Sequence, residues 1–301
     1  MVGGRAMVRY RKKFSDFAFD AIIYIIITII CLICLYPMLY VFFASISDGS
    51  RLYRHVGPIY YPLGFSLQGY RIVLSNPGVW SGYKNTIFYV IGGTAFSMLM
   101  TTLGAYVLSR KGYKLKKFFM LFIVFTMYFN GGMIPTFLLV RSLGLLNSRL
   151  AIMIVGSVGT WNMIIMRTAF QSIPRSLEES AIIDGANDFA ILTKIILPTS
   201  KATLAVITLF YAVGQWNSWF NPMIYLQSRD KYPLQLLLRE ILIMGSKVEG
   251  GAEVQSGIGI NYLGETIKYT TIIVSTLPIL FVYPFAQKYF VKGIMMGSLK
   301  E

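Results

Sequence analysis

The stretch AIIYIIITIICLICLYPMLYVFFAS, from Ala21 to Ser45, contains no Asp, Glu, Lys, Arg or His. A helix crosses the hydrocarbon core of a bilayer in about 20 residues, and a charge at the centre of that path is costly. This stretch is therefore long enough to span. The basic residues Arg5, Arg9, Arg11, Lys12 and Lys13 precede it like the n-region of a signal peptide. Its apolar length exceeds the roughly 7–15 residues of such a peptide, so an uncleaved anchor is expected. Five further segments pass the same test: Thr86 to Leu108, Phe118 to Val140, Leu150 to Met166, Ala202 to Leu226 and Tyr269 to Gln287. Across the 301 residues 55% are hydrophobic and only 14% charged, against the about 25% charge that usually covers a soluble domain. The expectation is an all-α integral membrane protein with six transmembrane helices. They form one domain over 21–290, between an N-terminal segment, 1–20, and a tail, 291–301.

Charge sets the orientation. With the N-terminus in the cytoplasm, Lys and Arg number 17 inside and 11 outside, the asymmetry of the positive-inside effect, and an N-in/C-in topology follows. The formal net charge of +15 does not indicate nucleic acid, because the cations sit in the gaps between apolar segments and build no continuous basic face. Cys31 and Cys34 lie one helical turn apart in the first segment, but without polar neighbours they read as small apolar core residues rather than a redox pair. His55 is the only histidine, which leaves no His-based metal or catalytic cluster. The spans offer no ionisable residue to couple an ion gradient and no base to serve a nucleophile. A secondary transporter, a selective channel and an intramembrane enzyme are disfavoured on that ground. No G-x-x-x-x-G-K-[ST] occurs, so energy has to come from a partner.

Two external loops, 46–85 and 227–268, are long. The second contains PLQLLLREILIM, Pro233 to Met244, too short to span and carrying Arg239 and Glu240. An interfacial or loop-packed helix is expected there, followed by an irregular Gly-rich segment from Gly250 to Gly264.

Between the fourth and fifth segments the cytoplasmic loop PRSLEESAIIDGANDFAILTKIILP, Pro174 to Pro198, predicts helix, turn and helix. Ser176 and Glu179 have capping-box spacing, Glu178 and Glu179 suit the positive end of the helix dipole, and Gly185 suits a left-handed stop. Asn187 is placed to cap a second helix. Its Phe189, Leu192, Ile195 and Ile196 are expected to share a face, with Pro198 closing it.

The loop resembles the EAA signature of ABC importer permeases: E-A-A, two residues, D-G-A, eight or nine residues, then I-x-L-P. Here it stands as Glu179-Ser180-Ala181, Asp184-Gly185-Ala186 and Ile195-Ile196-Leu197-Pro198. Ser180 replaces the usual Ala, and Leu192 stands where many members have Phe. Two further stretches, GQWNSWFNPMIYL from Gly214 and FNGGMIPTFLL from Phe129, together with the tail QKYFVKGIMMGSLKE, are similar to maltose-permease-like carbohydrate permeases of the branch that handles oligo- and polysaccharide fragments. The resemblance implies a type I ABC importer permease fold, multi-pass in the bacterial cytoplasmic (inner) membrane. It implies as partners a second homologous permease, two ATP-binding subunits carrying ATP and Mg, an extracellular or periplasmic sugar-binding protein and an oligosaccharide, with no cofactor in this chain. In that family the short first helix docks in a cleft of the ATPase. By resemblance Glu179, Ser180, Ala181, Ile182, Asp184, Gly185 and Ala186 are the expected coupling residues, and the 227–268 loop reaches toward the docked binding protein.

Polar groups inside a membrane are expensive unless they line a cavity or pair between helices. Asn130, Gln215, Asn217 and Asn221 are therefore candidates either for the translocation pathway or for interhelical hydrogen bonds. Trp216, Trp219 and Phe220 beside them supply the aromatic faces on which sugars are often held, and Trp219 equally suits an interfacial belt.

Overall fold

The computed structural model describes residues 14–110, 112–244 and 259–298, and every regular element among them is helical. In chain order these are α1 (Phe14–Ser45), α2 (Gly49–Arg54), α3 (Gln68–Ser75), α4 (Pro77–Ser109) and α5 (Lys116–Tyr128). Next come α6 (Met133–Ser142), α7 (Arg149–Ile154), α8 (Thr160–Gln171), α9 (Arg175–Ile183) and α10 (Asp188–Ile191). The last are α11 (Leu197–Thr199), α12 (Lys201–Trp216), α13 (Phe220–Tyr225), α14 (Leu234–Met244) and α15 (Gly259–Ser298). The basic N-terminal cluster and most of the Gly250 to Gly264 segment lie outside the described residues. From Gly259 that segment is helix, not irregular chain.

Among the described residues three helices are long and apolar enough to cross a membrane, Phe17–Ser45, Pro77–Ser109 and Gly264–Pro284. Two bent pairs, Lys116–Tyr128 with Met133–Ser142 (115°) and Asp188–Thr199 with Lys201–Trp216 (86°), raise the number to at most five. The expected Phe118 to Val140 span is thus broken. Gly132 has φ +85, and the Asn130 side chain accepts from the Gly132 amide at 3.0 Å. The expected Leu150 to Met166 helix is likewise interrupted, between α7 and α8, where Gly156 adopts φ +72. The freed Gly159 amide donates to the Tyr211 hydroxyl at 3.1 Å, and that hydroxyl also bonds Thr101 Oγ1 at 2.6 Å. Non-helical backbone at membrane depth requires such internal partners.

The chain forms two compact units, Met1–Tyr70 with Gly257–Ile273 and Arg71–Ser256 with Val274–Glu301. In the first, α1 exposes Ile22, Ile25, Ile29 and Ile33, the all-round apolar surface of a helix suited to lipid. Cys31 and Cys34 are free thiols on that exposed surface, not core residues. Asp48 caps α2 by accepting from the Ser50 and Arg51 amides at 3.0 and 3.2 Å. Ala44, Leu52 and Ile59 make a small core under it.

In the second unit α4 is the axis, packed by α12, α8, α7 and α14. Small and hydroxyl residues on α4 allow the close approach. A Cβ on Gly82 would meet Leu237 Cδ1 at 2.7 Å, and Thr86 Oγ1 accepts from the Leu234 amide at 2.9 Å. The Pro233 to Met244 run is therefore the loop-packed helix α14, with Leu234, Leu236 and Leu237 buried. Asn85 and Tyr89 of α4 fasten the chain ahead of it by donating to the carbonyls of Asp230 and Lys231.

Candidate functional site

The 174–198 loop is built by local rules, with three departures from expectation. Pro174 is the N-cap residue and its carbonyl accepts from the Leu177 amide at 3.3 Å. Ser176 is drawn inside the first turn, and the capping box expected between Ser176 and Glu179 does not form. Glu178 occupies the first turn, where its charge favours the helix dipole. At the other end Gly185 has φ +79, its amide donates to Ile182 O at 3.0 Å and the Ala186 amide to Ala181 O at 2.9 Å. This pair of bonds is the Schellman stop, which needs a left-handed residue.

Asn187 then caps α10, its side-chain oxygen accepting from the Ala190 amide at 2.8 Å. Instead of continuing as α-helix, the chain widens into a π-turn over Leu192–Ile196. The extra residue per turn rotates the later side chains. Ile191, Leu192 and Ile196 are buried, while Phe189 points outward, 71% exposed. Of the expected shared face, Leu192 and Ile196 are buried and Ile195 is half-buried, while Phe189, ahead of the π-turn, does not join them. Pro198 does not end the element either: it lies within α11, and the chain turns by 86° at the following break into α12.

α9 buries none of its residues. Ile182 is 60% and Ile183 86% exposed, with Leu177 exposed beside them, so α9 and Phe189 present apolar side chains outward. Glu179, Ser180, Asp184 and Gly185 are exposed with them, and Ala181 and Ala186 are half-buried against the core beneath. Two anchors of the loop escaped the sequence reading. Glu178 forms an ion pair with Arg110, and the Tyr106 hydroxyl donates to Asp188 O at 3.1 Å. The available signal was the spacing of Tyr106 and Arg110, four residues apart and so on one face of the chain leaving α4.

The remaining candidates cluster at the α12–α13 break, with Asn130 placed separately at the α5–α6 break. Gln215 packs on α4 where Gly93 leaves space: a Cβ there would meet Gln215 Nε2 at 2.6 Å. Trp216 lines a cleft of about 470 Å³ with Val90, Val213, Pro278 and Val282. Its walls are carbon, and the Trp216 Nε1 is buried without an acceptor among the described residues. Asn217 ends α12 as an exposed C-cap. Trp219 and Phe220 meet edge to face at 5.5 Å, and the Arg239 guanidinium of α14 lies 4.5 Å from the Trp219 ring, a cation–π contact. Asn221, half-buried, opens α13 beside them.

The family described as binding-protein-dependent transport system inner membrane component matches residues 100–296, from α4 through the whole loop to α15. The chain belongs to this family. Its relatives include the polygalacturonan/rhamnogalacturonan transport system permease protein YtcP of Bacillus subtilis (strain 168), 43% identical over 94% of this chain and 98% of that protein. Protein LplC of the same organism is 38% identical over 88% of each. Among solved structures, a bacterial ABC transporter involved in import of the acidic polysaccharide alginate superposes with a TM-score of 0.84 at 38% identity, covering 93% of this chain and 99% of that one. A chain of an alginate ABC transporter in complex with an alginate pentasaccharide-bound periplasmic protein shares the fold at TM-score 0.57 and 18% identity, over 91% of this chain and 95% of that one. Membership in the family makes the chain an inner membrane component of a transport system, the class that the six apolar segments and the loop motif indicate.

Proposed function

We propose that this chain is the permease subunit of an ATP-driven importer that takes an oligosaccharide from an external binding protein. The 174–198 loop is its coupling site to the ATPase. The observation that carries the reading is the outward apolar face of α9, with Ile182 and Ile183 largely exposed on a helix whose stop and successor cap are well formed. A pre-shaped apolar projection of this kind is costly in water and serves a protein interface. The relatives support a carbohydrate substrate: a polygalacturonan/rhamnogalacturonan transport system permease and an importer of alginate are similar over nearly the whole chain.

In this reading the chain crosses the bacterial inner membrane six times with both termini in the cytoplasm. The bent pairs and the α7–α8 pair count as broken spans, and Lys and Arg distribute 17 inside to 11 outside. A second homologous permease completes the pathway and two ATPase subunits bind ATP and Mg. This chain holds no cofactor and contacts no nucleic acid. Gln215, Asn217, Trp219, Phe220, Asn221 and Asn130 are the proposed pathway residues. The carbon walls around Trp216 suit packing better than sugar.

The test uses single cysteines in a Cys31→Ser, Cys34→Ser background. Ile182→Cys and Asp184→Cys are expected to crosslink to the ATPase, and Ser228→Cys is not. Crosslinking from Ser228→Cys alone would invert the topology and overturn the reading.

A further inference from the structure

Besides the apolar packing of Ile191, Leu192 and Ile196, two polar ties among the described residues hold the loop to the bundle, both on the end of α4. Arg110, the residue after that helix, pairs with Glu178 in the first turn of α9. Its guanidinium lies 4.5 Å from the centroid of the Tyr106 ring, one turn earlier. The Tyr106 hydroxyl in turn donates to Asp188 O at 3.1 Å, at the start of α10. A single stacked pair thus reaches both helices of the loop, one on each side of the Gly185 turn. We propose that Tyr106 and Arg110 are positioning residues that clamp the loop to α4 and make α4 the element through which motion of α9 enters the bundle.

Three observations support a mechanical role beyond that of an ordinary surface ion pair. The side chains of Arg110 and Glu178 are only 21% and 20% exposed, so solvent screens their attraction less than it does the exposed pairs whose worth is close to nothing. The end of α4 is itself held: Arg167 Nε donates to Leu108 O at 3.1 Å, and Lys116 Nζ to Arg110 O at 3.2 Å. And α4 is the axis of its unit, fastened to α12 through Thr101 and Tyr211 and to the chain before α14 through Asn85 and Tyr89. α9 buries none of its residues, so an attachment only beyond the Gly185 turn would let it pivot when pushed. Two attachments, at Glu178 and Asp188, convert the push into displacement of α4. Beside the ion pair lies a cavity of about 440 Å³, lined by Lys116, Gln171 and Arg175 among others, which gives the clamp room to shift.

The inference rests on the docking of α9 against an ATPase, and the experiment separates the two. In the reconstituted complex, Arg110→Glu and Glu178→Arg are each expected to lower the stimulation of ATP hydrolysis by liganded binding protein about fivefold to tenfold, the scale of coupling within one charged network. In Arg110→Glu, which lies outside the 174–198 loop, basal hydrolysis and the Ile182→Cys crosslink to the ATPase should persist. The reciprocal double variant, Arg110→Glu with Glu178→Arg, should restore stimulation to within about twofold. Should a reversed charge prevent assembly, Arg110→Gln carries the same expectation of lost stimulation with the crosslink retained, and Glu178→Gln that of lost stimulation. Unaffected single variants, or a double variant that assembles without rescue, would overturn the clamp while the crosslink upholds docking. Absence of the Ile182→Cys crosslink while Arg110 and Glu178 are unchanged would overturn docking and the clamp together.

Discussion

Replacing Gly185 tests how much of the loop's function depends on one backbone conformation. Gly185 sits at φ +79, and a Cβ built on it meets nothing within 4 Å. Any penalty is therefore conformational rather than a clash. A left-handed conformation costs an L-residue roughly 1–2 kcal/mol, more if β-branched, and less for Asn, whose short side chain tolerates it. Since about 1.4 kcal/mol is tenfold in an equilibrium, Gly185→Ala should lower the fraction of loops with the Schellman turn formed by about five- to thirtyfold relative to the frayed state. Gly185→Val should exceed that, and Gly185→Asn should fall well short of it. The frayed state loses the Ala186 to Ala181 bond and releases Asn187 from the register in which it caps α10. Reconstituted complexes would be compared for sugar uptake and for ligand-stimulated ATP hydrolysis, with membrane insertion as the control. The order Asn, Ala, Val in increasing loss is expected. Full coupling in Gly185→Val, or equal loss in Gly185→Asn, would refute the argument.

Tyr211→Phe removes the hydroxyl shared by Thr101 and the Gly159 amide and should cost about 1 kcal/mol, since unfolded chains in a membrane also find polar partners; an unchanged Tm in nanodiscs would contradict this. Gly93→Val should displace Gln215, whose Nε2 a Cβ would approach to 2.6 Å, at about 1–3 kcal/mol of overpacking. Adding Gln215→Ala should recover most of the lost Tm, and failure to do so would mean the two residues do not compete. At Asp48 the bond from the Ser50 hydroxyl, then that from the Arg51 amide, hold the carboxyl below its ordinary value of 3.8. Its cap on α2 is therefore fully present above that value and is lost only as pH falls through the lower folded pKa. Hydrogen exchange in α2 should be indifferent to titration from pH 7 to 5 once intrinsic rates are corrected, and Asp48→Ala should lose about 1 kcal/mol of protection there.

The linear sequence determined whatever depends on residues a few positions apart or on the solvent. Runs without charge between Ala21 and Gln287 required a membrane, because hydrocarbon excludes ions whatever the tertiary fold. The spacing from Glu179 to Pro198 identified the loop, because a left-handed glycine and an Asn cap act on their immediate neighbours. Tertiary structure decided where polar backbone could be left unpaired and then satisfied from afar. The break after α7 exists because Tyr211, 52 residues later, receives the Gly159 amide, and hydropathy is blind to such a partner. The outward position of Phe189 and the burial of Leu192 and Ile196 in a core shared with α4 and α8 were settled by packing. The attachment of Glu178 to Arg110 likewise joins residues 68 apart, and only the packing of α9 beside the end of α4 brings those two charges together.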